Sequence, residues 1–139
     1  MTINPLLGPV VALAAWTLVM LVWLAVARAP FLRGRDGIPD GARGADMPAG
    51  RHNWPGHNYE HLLEQPTLFY AVVLALVAMG SEAAINLYLA WGYVALRILH
   101  SIWQATVNVV KIRFLIFLLA TICLVGLVVH AGAYIIHAS

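Results

Sequence analysis

Residues 6–27 form a run without one charged side chain. At 1.5 Å per residue a helix of that length reaches about 33 Å, the thickness of a bilayer's hydrocarbon core. Inside lipid the backbone must satisfy its own hydrogen bonds, so the run has to be a helix. Three more candidates follow. Residues 62–79 are apolar but carry Glu64 and Pro66 near the start; residues 83–96 are apolar and turn amphipathic through Asn108; residues 114–136 form the fourth run. Composition agrees with this pattern. The chain is 62% apolar and 10% charged, against about 25% charged for a soluble domain. So few charges cannot cover a water-facing surface.

The expectation is an all-α integral membrane protein. Residues 1–139 would form one domain, a four-transmembrane-helix antiparallel bundle with helices at about 6–28, 57–80, 82–108 and 112–137. The first helix is expected to be retained, because it lacks a basic leader and is too long for a signal-peptide core. Cys123, the single cysteine, lies within the fourth apolar run and reads as a small apolar residue.

The basic residues fall in two places. Arg28, Arg33, Arg35, Arg43 and Arg51 flank or occupy a loop at about 29–56; Arg97, Lys111 and Arg113 stand near the junction of the third and fourth helices. The positive-inside rule puts both regions in the cytoplasm and both termini on the other side. The net charge of +2 suits lipid headgroups. No nucleic-acid-binding motif occurs. The turn "GSEAAIN" reads as a tight reversal with Ser81 as helix N-cap.

Ionisable groups beside a membrane-length apolar run are costly and so need a reason. His57, Glu60, His61 and Glu64 recur at helical spacing and share one face, which is expected to point into protein or a cleft. Pro66 frees a backbone carbonyl just beyond them. Arg97, His100, Ser101, Gln104 and Asn108 form a second one-sided stripe on the third helix. Antiparallel packing would gather both stripes and Arg113 at one end of the bundle, leaving the other end nearly bare. Glu64 and Arg97 are the expected ion pair. "HNYEH" matches a zinc-protease signature literally, but a five-residue match without a further ligand does not make a metal site. None is expected. His52, His130 and His137 fall outside any cluster.

Asn58 and Glu64 ahead of Pro66, then Arg97-x-x-His100, then Arg113 sixteen residues after Arg97, occur in that order on a chain of this length. In this the sequence resembles, over roughly its whole length, the family of membrane-associated proteins in eicosanoid and glutathione metabolism (MAPEG), as a bacterial-type member of the inner membrane. The resemblance implies a homotrimer that binds glutathione between subunits at the cytoplasmic end. It implies that Asn58, Glu64 and Arg97 line the pocket, with His100 and Gln104 on the same helix face, and that Arg113 holds the glutathione thiolate. A cation beside a thiol favours its ionised form. The expected activity is then a glutathione-dependent transferase or peroxidase acting on lipophilic electrophiles from the bilayer. Several members carry a tyrosine seven residues after the first arginine, and some another four after the second; here these positions are Gln104 and Phe117. The upstream arginine of the second helix is also out of register, with Arg51 the nearest. The family includes members that bind lipid without catalysis. The alternative is therefore a non-catalytic membrane protein that holds a lipid or quinone-like molecule or joins a larger membrane complex.

Overall fold

The computed structural model describes residues 3–33 and 50–138, and every regular element among them is helical. The order is α1 (Leu7–Arg33), a 3₁₀ turn (Arg51–Asn53), α2 (Trp54–Glu64), α3 (Pro66–Ala78), α4 (Ala84–Thr106) and α5 (Val110–Ala138). Arg35 and Arg43 lie outside the described residues. The elements α2 and α3 follow one another almost without a break, so the described residues make four rods. Three stretches, Leu7–Phe31, Arg51–Ala78 and Val110–His137, are long and apolar enough to cross a membrane. The rod α4 is not among them, because Arg97, His100, Ser101 and Gln104 lower its apolarity. Its 23 residues still reach about 34 Å.

The ends of the rods differ from the sequence reading in ways that have local causes. Pro30 lies inside α1, which runs on to Arg33; proline in a membrane helix is tolerated where neighbours re-satisfy the backbone. The second rod starts earlier than His57, at Trp54, with Pro55 in the first turn. There its missing N–H costs no helical bond. Arg51 stacks its guanidinium over the Trp54 ring, 5.4 Å from the centroid.

Pro66 divides the second rod. Gln65, between α2 and α3, keeps helical angles (φ −60°, ψ −38°). Thr67 Oγ1 donates to the Glu64 carbonyl at 2.6 Å. The Gln65 side chain ties the break to two other rods: Nε2 donates to Thr121 Oγ1 at 2.9 Å, and Oε1 accepts from Tyr93 Oη at 3.3 Å. Tyr93 in turn stacks on Phe69, ring centroids 4.5 Å apart.

The reversal after α3 does not use Ser81 as an N-cap. Gly80 takes the left-handed conformation (φ +72°), Gly80 N donates to the Val77 carbonyl and Ser81 N to the Leu76 carbonyl. This is a Schellman ending, and the residue before α4 is Ala83, which makes no side-chain cap. Ser81 instead accepts a hydrogen bond from Asn86 Nδ2 at 3.0 Å.

A narrow seam on each rod is buried: Leu6, Leu13 and Met20; Asn58, Leu62, Pro66, Phe69, Val73 and Leu76; Ala90, Tyr93, Arg97, Ser101 and Gln104; Ile116, Ala120, Leu124, Leu127 and Ala131. Their spacing of three, four or seven residues is that of helices packed side by side. The α4–α5 contact is tightest at Gly126, where a Cβ would stand 3.0 Å from the end of the Leu89 side chain; a Cβ at Gly92 would make an ordinary 3.4 Å contact with the Cys123 sulfur. The outward faces carry Val11, Leu18, Val22 and Val26 on α1 and Ile122, Val125 and Val129 on α5, all exposed. In water such a surface would be unfavourable; in lipid it is the expected one.

Candidate functional site

The polar stripe of α4 is the most buried face of that helix. Arg97 and Ser101 are fully enclosed, and His100 and Gln104 nearly so. On α2 the expected arrangement is reversed. His57, Glu60 and Glu64 are exposed and His61 is partly so, while Asn58 is fully buried. The inward seam of this rod runs Asn58, Leu62, Pro66, Phe69. The ionisable stripe lies to one side of it and faces out of the single chain.

Glu64 and Arg97 do not form the expected ion pair. Among the described residues the Glu64 carboxylate instead meets His61, with Nδ1 3.1 Å from Oε2. The Arg97 guanidinium donates through one nitrogen to the His61 backbone carbonyl at 2.8 Å. It also lies over the Phe117 ring, 5.8 Å from the centroid. The two ends of the expected pair thus both engage His61, one through its ring and one through its backbone.

A cleft of about 190 Å³ opens beside these residues, lined by His61, His100, Val110, Arg113, Phe114 and Phe117. The His61 and His100 rings meet edge to face at 6.4 Å, and His100 is 6.2 Å from Phe117. Arg113 comes to the cleft from the first turn of α5. One of its nitrogens donates to Asn108 Oδ1 at 2.9 Å. Asn108 is no longer part of the helical stripe, because α4 ends at Thr106. Its left-handed backbone (φ +54°) closes the reversal, with its N–H donating to the Trp103 carbonyl at 2.8 Å. Asparagine is among the few non-glycine residues that adopt this conformation readily.

Of the predicted site residues, Arg113 and His100 line the cleft, and Glu64 reaches its edge through His61. Arg97 sits behind the wall. Asn58 and Gln104 are buried and do not line it. Asn58 Oδ1 and Nδ2, Arg97 Nε and one terminal nitrogen, His100 Nδ1, Ser101 Oγ and Gln104 Oε1 are buried without hydrogen-bond partners among the described residues. The phenyl ring of Phe117 forms one wall. The sequence reading did not assign Asn108 its contact with Arg113; a polar residue in the short break between α4 and α5 was the available signal.

The opposite end of the bundle is not bare. Asn86 Oδ1 accepts from His130 Nδ1 at 2.8 Å, Asn4 Nδ2 donates to the Ser81 carbonyl at 3.3 Å, and Tyr134 Oη donates to the Met79 carbonyl at 2.9 Å. His130, expected to lie outside any cluster, therefore belongs to one. Lone polar residues inside apolar runs, Asn86 and His130, were its sequence signal.

Comparison with curated proteins and with solved structures finds no match. The sequence profile of one family does match, and it spans residues 6–133, nearly the whole chain. This chain, an integral membrane protein built as a helical bundle, belongs to the MAPEG family.

Proposed function

We propose that the protein is a glutathione-dependent transferase or peroxidase acting on lipophilic electrophiles, assembled as a homotrimer with its site at the cytoplasmic end. One observation carries this reading: the Arg113 guanidinium, held by Asn108, and two imidazoles line one cleft together with Val110, Phe114 and Phe117. A cation beside an apolar wall suits a thiolate meeting an apolar electrophile. The residues fit the tripeptide's thiol end. The cleft of about 190 Å³ is smaller than the roughly 300–1,000 Å³ of an ordinary small-molecule site, which supports a pocket completed by a second copy. The exposed His57, Glu60 and Glu64 on a membrane rod support the same assembly, since intramembrane ionisable groups face protein or water.

Arg113 would hold the sulfur as its charge develops, Asn108 would fix the guanidinium, and the apolar wall would receive the electrophile. The distribution of arginines and Lys111 supports a cytoplasmic position for this end, with both termini outside. A bacterial inner membrane is the compartment in this reading. Glutathione binding by the detergent-solubilised protein, with ultraviolet absorbance of bound thiolate, tests it. Arg113→Ala should abolish the thiolate signal while the oligomer persists. Wild-type protein that gives no thiolate at saturating glutathione would overturn the enzymatic reading.

A second reading has its own observation. Phe117 offers no hydroxyl to the cleft, and Gln104 is turned away from it, 1% exposed. This favours a non-catalytic member that holds a lipid or quinone-like molecule or serves in a larger membrane assembly. It predicts no turnover and a co-purifying lipid in the cleft.

A further inference from the structure

Glu64 is free of Arg97 and committed to His61. That pairing fixes the imidazole. A carboxylate has no proton to share, so the hydrogen between Nδ1 and Oε2, 3.1 Å apart, belongs to the ring. The neutral ring then has its lone pair on Nε2. The same ring lines the cleft with Arg113. Nucleophile-activating sites are built this way, with a base oriented by a third group. His100, the other imidazole in the cleft, is a poorer candidate. It is 3% exposed and its Nδ1 has no partner among the described residues.

We propose that His61, oriented by Glu64, is the base that takes the glutathione thiol proton in this cleft. It would fill the role for which Gln104 and Phe117 supply no hydroxyl. The inference rests on the glutathione reading above. The S–H bond breaks, its electron pair stays on sulfur opposite Arg113, and the proton passes to His61 Nε2. With a conjugated enone the thiolate forms a C–S bond at the β-carbon, and the π electrons move to the enolate oxygen. The imidazolium then returns its proton to the α-carbon, so the ring is regenerated and no oxidant or reductant is consumed. Glu64 is a positioning residue here: it holds the neutral tautomer and stabilises the imidazolium. Its side chain is 70% exposed in the single chain, so water screens its charge and the hydrogen bond does most of the orienting.

The size of the effect is bounded. A thiol with a pKa near 8.5 is about 3% ionised at pH 7, so complete ionisation gains at most roughly 30-fold. His61→Gln and His61→Ala both keep the backbone carbonyl that Arg97 uses, so the fold should survive. With full-length protein in detergent, glutathione and a small conjugated enone, both variants should lose most of the bound-thiolate absorbance. They should lose roughly tenfold in kcat/KM, while glutathione affinity changes less than about twofold. Free imidazole should restore turnover to His61→Ala, which a purely structural role would not allow. Glu64→Gln should show a smaller loss of thiolate in the same direction. Wild-type thiolate and turnover retained in both His61 variants would overturn the base and leave the glutathione reading standing. So would a loss in folded His61→Ala that imidazole does not restore. Wild-type protein that neither binds glutathione nor forms thiolate would overturn both.

Discussion

The two ends of the bundle both bury polar side chains, but they treat them differently. At the end near the α3–α4 turn, Asn4, Ser81, Asn86, His130 and Tyr134 are hydrogen-bonded to one another or to backbone carbonyls. At the other end Asn58, His100, Ser101, Gln104 and most of the Arg97 guanidinium bury polar atoms with no partner among the described residues. A satisfied network locks a structure, whereas buried donors and acceptors left open are costly. Open groups persist where function or assembly needs them. The comparison separates a structural clamp from a site within one small chain, using residues of the same kinds.

The largest expected effect sets Asn86 against Gln104. Asn86→Leu leaves the His130 N–H and the Ser81 hydroxyl without partners and should cost about 2–3 kcal/mol in detergent unfolding. Gln104→Leu removes a group whose carbonyl is already unpaired, so it should cost under about 1 kcal/mol or stabilise. Equal losses would erase the distinction between the ends.

Asn108 tests the link between backbone and site. Asn108→Ala puts a residue that tolerates left-handed backbone less well than asparagine at φ +54° and should cost about 1 kcal/mol. Asn108→Gly removes that strain and should stay within about 0.5 kcal/mol of wild type. Both variants release Arg113, so glutathione turnover should fall in each whatever the stability. Turnover that tracks stability alone would mean that the Asn108–Arg113 bond positions nothing.

The closest matched pair is Ser81→Ala against Ser101→Ala, both at buried serines. Loss of the Ser81 hydroxyl strands Asn86 Nδ2 and should cost about 1 kcal/mol, while Ser101→Ala should fall within about 0.5 kcal/mol of zero. The reverse order in thermal unfolding would refute the assignment of the two ends. The smallest effect concerns Glu64 and Arg97. Without a salt bridge between them, a double-mutant cycle on Glu64→Gln and Arg97→Gln should give coupling below about 0.5 kcal/mol. A larger coupling would restore the ion pair that the sequence suggested.

The sequence by itself determined that the chain is an all-helical membrane protein, because a charge-free run such as residues 6–27 leaves the backbone no other way to bond in lipid. It also determined the α4 stripe, since Arg97, His100, Ser101 and Gln104 share one face at helical spacing and that face is buried. The tertiary structure decided the rest. Periodicity could place His57, Glu60, His61 and Glu64 on one side of α2, but not choose between that side and the adjacent Asn58–Leu62 seam. The choice depends on packing against the other rods, where Leu62 and Phe69 gain more from burial than charges can. Nor could spacing show that Glu64 would turn to His61 and Arg97 to a backbone carbonyl. Those partners are set by rotamers and by the break at Pro66. The opposite-end network was hidden because its hydrogen bonds join Asn4, ahead of α1, to the α3–α4 turn and Asn86 on α4 to His130 on α5. Local sequence carries the period of each helix, but only packing brings side chains distant in the chain within hydrogen-bond reach.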